Sequence, residues 1–117
     1  MKHEEESLQM ACVKWFDIQY RHMKDYLHHS PNGGRRNRIE AARFKAMGVR
    51  AGFPDLVLMI PRGGHPFLAI EMKSKDGTVR ESQKHFKEIF ERVGALYVVV
   101  RTFEDFQATI NEYLSKP

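Results

Sequence analysis

Residues 54–73 read Pro54-Asp55-Leu56-Val57-Leu58-Met59-Ile60-Pro61-Arg62-Gly63-Gly64-His65-Pro66-Phe67-Leu68-Ala69-Ile70-Glu71-Met72-Lys73. Asp55–Ile60 is a β-rich run stopped by Pro61, and Phe67–Lys73 is the returning strand of a hairpin that turns at Arg62-Gly63-Gly64-His65. Both runs are apolar on both faces, as in central rather than edge strands. A turn centred on Gly63-Gly64 places Asp55 opposite positions 71–73. Residues two apart on a strand share a face, so Glu71 and Lys73 point the same way. Two carboxylates and a lysine are thus expected together at one end of two central strands. Ionisable groups buried there are costly unless they are paired or hold a metal. Carboxylates supply hard oxygen ligands for Mg²⁺, and a bound divalent ion can polarise a phosphoryl oxygen and activate water. On these three residues alone, a structural salt bridge from Lys73 to either carboxylate fits as well.

On either side of this hairpin the chain supplies helices. Residues 5–28 carry Leu8, Ala11, Cys12, Trp15, Met23, Tyr26 and Leu27 at helical spacing, which predicts a long amphipathic helix. The stretch His28-His29-Ser30-Pro31-Asn32-Gly33-Gly34 stops it, and a first strand is expected near residues 28–32. A second helix is expected over residues 37–47, ended by Gly48, and a third over 80–93, ended by Gly94. Leu96–Val100 reads as a fully buried strand and 103–115 as a last helix. The order predicts an α/β domain with a mixed sheet of about four strands flanked by helices.

Composition narrows the class. The 117 residues suit one domain, with 42% hydrophobic and 29% charged side chains. The longest apolar runs, Leu56–Ile60 and Ala95–Val100, are too short to cross a bilayer. No apolar segment follows the charged opening Met1-Lys2-His3-Glu4-Glu5-Glu6, so no secretory signal is expected. One cysteine, Cys12, excludes an internal disulfide and a thiolate zinc cage. None of the six histidines has zinc-type spacing. The net charge of +4 is concentrated: residues 35–50 hold Arg35, Arg36, Arg38, Arg43, Lys45 and Arg50 against Glu40 alone. Such a patch is the footprint of a polyanion partner. A solvated helix face is the plainer reading.

Beyond the hairpin, the matching stretches include Glu5-x-x-x-Gln9, Pro31-Asn32-Gly33-Gly34, Ala41-Ala42-Arg43-x-Lys45-x-x-Gly48-Val49 and Ala51-Gly52-x-Pro54-Asp55-Leu56. They continue through Pro61-Arg62-Gly63-Gly64, Ile70-Glu71-Met72-Lys73, Gln83-Lys84 and Gly94. In order and spacing, from Glu5 to about Val100, the chain resembles the VRR-NUC family, in its stand-alone, phage-type form, within the PD-(D/E)xK nucleases. The resemblance implies one nuclease domain over 1–117 with a restriction-endonuclease-like fold. It implies Asp55 and Glu71 as metal ligands, the backbone carbonyl of Met72 completing the shell, Lys73 as catalytic lysine and Glu5 as an outlying carboxylate. Glu5 also extends the stripe through Leu8, Cys12 and Trp15, although Glu4 falls near the same face.

Gln83 falls in the first turn of the third helix, within reach of the metal site or a phosphate. The family's usual Ser or Thr cap is Arg80 here, and Thr78 with Glu81 could form a capping box instead. Asn32 and Gly33 suit close approach to a phosphate, and Arg35, Arg36, Arg38, Arg43 and Lys45 suit backbone phosphates of any sequence. His28 and His29 flank that loop and could touch DNA.

The expected activity is a Mg²⁺- or Mn²⁺-dependent DNA endonuclease. For a stand-alone member, the resemblance implies a homodimeric four-way (Holliday) junction resolvase. The alternatives are a flap or general nuclease, or a non-catalytic nucleic-acid-binding module. Apolar residues Phe103, Phe106, Ile110, Tyr113 and Leu114, or Phe16, Tyr20 and Tyr26, read as a surplus available for a dimer interface. No membrane partner and no cofactor other than metal are expected. The expected setting is a bacterial or phage-infected host cytoplasm.

Overall fold

Strand β3 (Leu68–Met72) runs through the middle of the sheet, with all five residues buried. The computed structural model describes residues 2–31 and 37–117. Around β3 the order is α1 (Lys2–Gln19), a 3-10 turn (Arg21–Tyr26), β1 (Leu27–His29), α2 (Arg38–Ala46), β2 (Leu56–Leu58), α3 (Glu81–Arg92), β4 (Leu96–Val100) and α4 (Phe103–Ser115). The sheet order is β1-β2-β3-β4. Neighbours β1–β2 and β2–β3 are antiparallel, and β3–β4 is parallel, with α3 as the crossover. This is the expected four-stranded mixed sheet. The hairpin register Leu56↔Ile70, Val57↔Ala69, Leu58↔Leu68 is the one its glycine turn predicts.

Alternation splits the sheet into two layers. Leu56, Leu58, Leu68, Ile70, Met72 and Val100 face Cys12 and Phe16 of α1 and Phe106, Ile110 and Tyr113 of α4. Each such side chain contributes roughly 1.5–3 kcal/mol on burial. Trp15 sets its ring edge-on to Phe103 and Phe106, joining the two helices. Tyr113 donates from its hydroxyl to the Ile60 carbonyl at 2.6 Å, fixing α4 to the end of β2. The opposite layer is thinner. There Ala69, Ala95 and Tyr97 meet Phe90 of α3, with Phe53, Val57, Phe67, Phe86, Ile89 and Val99 around them.

Four expectations need correction. The first helix ends at Gln19, and the 3-10 turn after it buries no residue fully and sets only Met23 against the core, which is little to hold a regular helix there. The first strand is Leu27–His29 rather than residues near 28–32, because it pairs with β2 directly after that turn. Strand β4 lies at the sheet's edge, and Leu96, Val98 and Val99 are only half-buried. The apolar surplus is internal. Phe16, Phe106, Ile110 and Tyr113 are buried, and Phe103, Leu114 and Tyr20 pack against them, because one sheet face carries two helices side by side. Of that set only Tyr26 is exposed.

Candidate active site

Asp55 precedes β2 by one residue and falls in the next register row, opposite Glu71. Its carboxylate Oδ2 accepts from the Met72 backbone N–H at 2.8 Å, which ties the start of one strand to the end of the other. Glu71 and Lys73 are 2% and 5% exposed, so both charges are out of water. Lys73 Nζ lies 3.6 Å from Glu71 Oε2. Gln83 Nε2 donates to the same oxygen at 2.7 Å. The other carboxylate oxygen, Glu71 Oε1, is buried and has no hydrogen-bond partner. Burial first, and the neighbouring Asp55 carboxylate second, push Glu71 up to about 8, against the opposing pull of Lys73. One lysine thus faces two carboxylates, and the side of Glu71 turned away from it has no donor.

Gln83 is placed by its own backbone neighbourhood. The N-cap of α3 is Arg80, which supplies no side-chain cap, rather than Thr78. The half of a capping box that remains is the reverse one: the Arg80 N–H donates to Gln83 Oε1 at 2.8 Å. With its carbonyl held there, the amide NH₂ turns toward Glu71. Gly52, in the turn before β2, lies against this helix start. A Cβ at Gly52 would sit 2.5 Å from the Ser82 backbone, and the φ of +87° already favours glycine.

Behind Lys73, the loop 74–77 is held from two sides. Glu5 is half-buried on α1, and its Oε2 accepts from the Ser74 N–H at 3.2 Å. Arg101 Nη1 donates to the carbonyls of Ser74 (2.9 Å), Gly77 (2.6 Å) and Lys75 (3.4 Å). On the other flank, His29 of β1 donates from Nδ1 to the Asp55 carbonyl at 2.7 Å.

The structure therefore brings Asp55, Glu71, Lys73 and Gln83 together. Glu5 reaches the site's rim through Ser74, but among the described residues no three His, Cys, Asp or Glu side chains gather closely enough to form a cation cage. Asn32, Gly33, Arg35 and Arg36 lie outside the described residues. Arg38, Arg43 and Lys45 all project exposed from α2, whose N-cap Asn37 accepts from the Glu40 N–H at 2.8 Å. Arg101 and Ser74 escaped the sequence reading. A signal existed for Arg101: it follows Val100, the register partner of Met72, and so falls beside Lys73.

A mixed four-stranded sheet carrying Asp55 and Glu71-x-Lys73 at the open end of its central hairpin defines a nuclease fold of the PD-(D/E)xK class. A family model, the VRR-NUC domain, matches residues 2–104, and the chain belongs to that family. Among solved structures it is similar to a protein described as "VRR_NUC domain protein", at 33% identity and a TM-score of 0.83, over 96% of this chain and 88% of that one. Among curated proteins, none matches. Family membership implies a nuclease, a hydrolase of phosphodiester bonds with DNA as substrate, and this superfamily generally uses divalent metals.

Proposed function

We propose that this chain is a Mg²⁺- or Mn²⁺-dependent DNA endonuclease that works as a homodimer on four-way junctions. The observation that carries the metal reading is Glu71 Oε1, a buried carboxylate oxygen beside a second carboxylate with no donor of its own. A divalent cation relieves that arrangement, and oxygen-only donors suit Mg²⁺ or Mn²⁺. Asp55, Glu71 and the Met72 carbonyl would hold the ion, with Glu5 as an outlying carboxylate behind Ser74. Such an ion, when bound, polarises the phosphoryl oxygen and lowers the pKa of bound water.

The chain's own groups supply the rest. Lys73 offsets charge that develops on the phosphoryl group and orients the attacking water. Gln83 holds Glu71 Oε2, so that Oε1 keeps its direction. The Met72 N–H fixes Asp55 in the same way. Arg38, Arg43 and Lys45, with Asn32, Gly33, Arg35 and Arg36, contact backbone phosphates without reading bases.

The dimer rests on α2. This helix has nine residues, none of them buried, and Ile39 is 74% exposed. A helix so short is marginal in isolation. A two-fold partner would cover it and set two active sites at a fixed separation, as symmetric cutting of a junction requires.

The test is digestion of labelled four-way, flapped, nicked and linear DNA with Mg²⁺ or Mn²⁺, together with light scattering. Paired cuts across the four-way junction and about twice the 13.7 kDa chain mass are expected. A strictly monomeric mass, free and on DNA, with single-strand nicking only, would refute the resolvase and leave a simpler nuclease. Asp55→Asn retaining wild-type cleavage would refute the metal site.

A further inference from the structure

We infer that the hydroxyl of Tyr97 is a positioning group for the carboxylate pair, reaching Glu71 Oε1 through one buried water. The inference deepens the nuclease reading and rests on it. Among the described residues, two buried side-chain polar atoms lack a hydrogen-bond partner: Glu71 Oε1 and the Tyr97 hydroxyl. They are complementary in kind. A carboxylate oxygen can only accept, whereas a phenol can donate.

They also share a face of the sheet. Tyr97 on β4 is the register partner of Ala69 on β3, and Glu71 lies two residues further along β3, on the same side. Adjacent strands lie about 4.8 Å apart and a strand rises about 3.3 Å per residue, so this diagonal spans roughly 8 Å between Cα atoms, within reach of an aromatic side chain. Ala69 is small and fully buried, which leaves room over β3 for the ring. Tyr97 itself is 6% exposed and packs edge-on against Phe90 of α3, with ring centroids 6.4 Å apart. The charges of Glu71 and Asp55 both bear on the phenol.

A phenylalanine would fill the apolar layer equally well and leave no buried O–H without an acceptor. A hydroxyl kept in that layer needs a partner, and the acceptor-rich site is where one lies. Buried water bridges otherwise unsatisfied polar groups when two to four of them converge. Here Tyr97, Glu71 and Asp55 supply that number. The hydroxyl would then hold Glu71 Oε1 in the orientation that receives the cation, as outer groups do around metal ligands.

The experiment compares Tyr97→Phe with the wild type as the full chain, without DNA for metal binding and stability and with labelled DNA for turnover. Calorimetry with Mn²⁺ gives affinity, and denaturant unfolding without metal gives stability. The expected result is a loss of about tenfold in Mn²⁺ affinity, within the range for outer groups of metal sites. Metal-free stability should change little, because the water keeps its bonds to Glu71 and Asp55 when the phenol is gone. With saturating metal, the variant's kcat should recover toward wild type. Unchanged Mn²⁺ affinity in Tyr97→Phe overturns the inference while leaving the metal site standing, as does a variant that fails to fold without metal. Asp55→Asn is the control for the underlying reading. If the wild type binds Mn²⁺ no better than Asp55→Asn, the metal site and the role of Tyr97 fall together.

Discussion

The two faces of β3 are made by one five-residue strand and its flanks, and both are buried, yet they serve different ends. Leu68, Ile70 and Met72 turn toward a layer two helices thick, where hydrophobic side chains of α1 and α4 pack on them and the Tyr113 hydroxyl is tied to a carbonyl. Ala69, Glu71 and Lys73 turn toward a layer one helix thick, and that layer runs out at the charged end. The difference teaches that burial alone does not mark a core position. The thick layer stabilises by removing hydrocarbon from water. The thin layer desolvates a carboxylate pair that one lysine compensates only in part, and it leaves one carboxylate oxygen without a hydrogen-bond partner.

The comparison breaks most sharply if the two faces respond alike to substitution. Asp55→Asn or Glu71→Gln should reduce cleavage at least 100- to 1000-fold, the scale of losing a group that stabilises transition-state charge. Chemical denaturation should find Asp55→Asn as stable as the wild type or more so, because a like charge beside Glu71 has gone, whereas Glu71→Gln leaves the buried Lys73 ammonium without its ion partner and should cost stability. The thick face predicts the reverse. Phe16→Ala should cost about 3–5 kcal/mol by cavity formation. Whatever fraction remains folded should cut DNA at the normal rate per folded molecule. A Phe16→Ala protein that is stable but inactive would erase the distinction.

Gly52→Ala probes the seam between the faces. Its Cβ would collide with the Ser82 backbone, so either the turn or the start of α3 must shift. A cost of roughly 1–3 kcal/mol is expected from the strained backbone and the overpacking. Gln83 should leave Glu71 with that shift, which kinetics would read as a lower kcat than the stability loss explains. If Gly52→Ala is stable and fully active, the packing of the turn on α3 is not what places Gln83.

The smallest effect per step is in pH. Glu71 is raised from 4.5 to about 8 in the fold, so between those values the folded protein binds more protons than the unfolded one. The associated stability is fully present below about pH 4.5 and is lost as pH rises toward 8. The slope from this group is at most about 1.4 kcal/mol per pH unit. Metal-free unfolding of wild type and Glu71→Gln across pH 5–8 isolates it by difference. The wild type should weaken relative to the variant as pH rises, whereas added Mn²⁺ should cancel the trend by favouring the ionised pair. Parallel curves would show that Glu71 titrates normally.

Much of this arrangement could be read from sequence because a tight hairpin converts spacing into position. Gly63-Gly64 fixed the register, the register put Asp55 opposite Glu71, and alternation put Lys73 beside them. The face of Glu5 followed from helical spacing in the same way. What escaped the reading depends on contacts between distant segments. Counting apolar residues could not reveal that α1 and α4 lie side by side, so Phe106 and Ile110 read as surplus when they are core. The helical period of residues 5–28 continued through a segment that packs on the core through Met23 alone. Gln83 lies beside Glu71, and its orientation depends on the Arg80 N–H, a backbone donor that no residue type announces.

The Arg101 clamp gives the molecule a timing. Proteins are made from the N-terminus onward, so Glu5, Asp55, Glu71, Lys73 and Gln83 are all synthesised before Arg101, the residue that fastens the loop following the lysine. Strand β4, on which Arg101 depends for its place, also follows all five in the chain. A nascent chain paused just short of Arg101 would carry every letter of the nuclease signature while its loop still lacked the clamp. The loop behind Lys73 is thus fastened only after all five of those residues have been made.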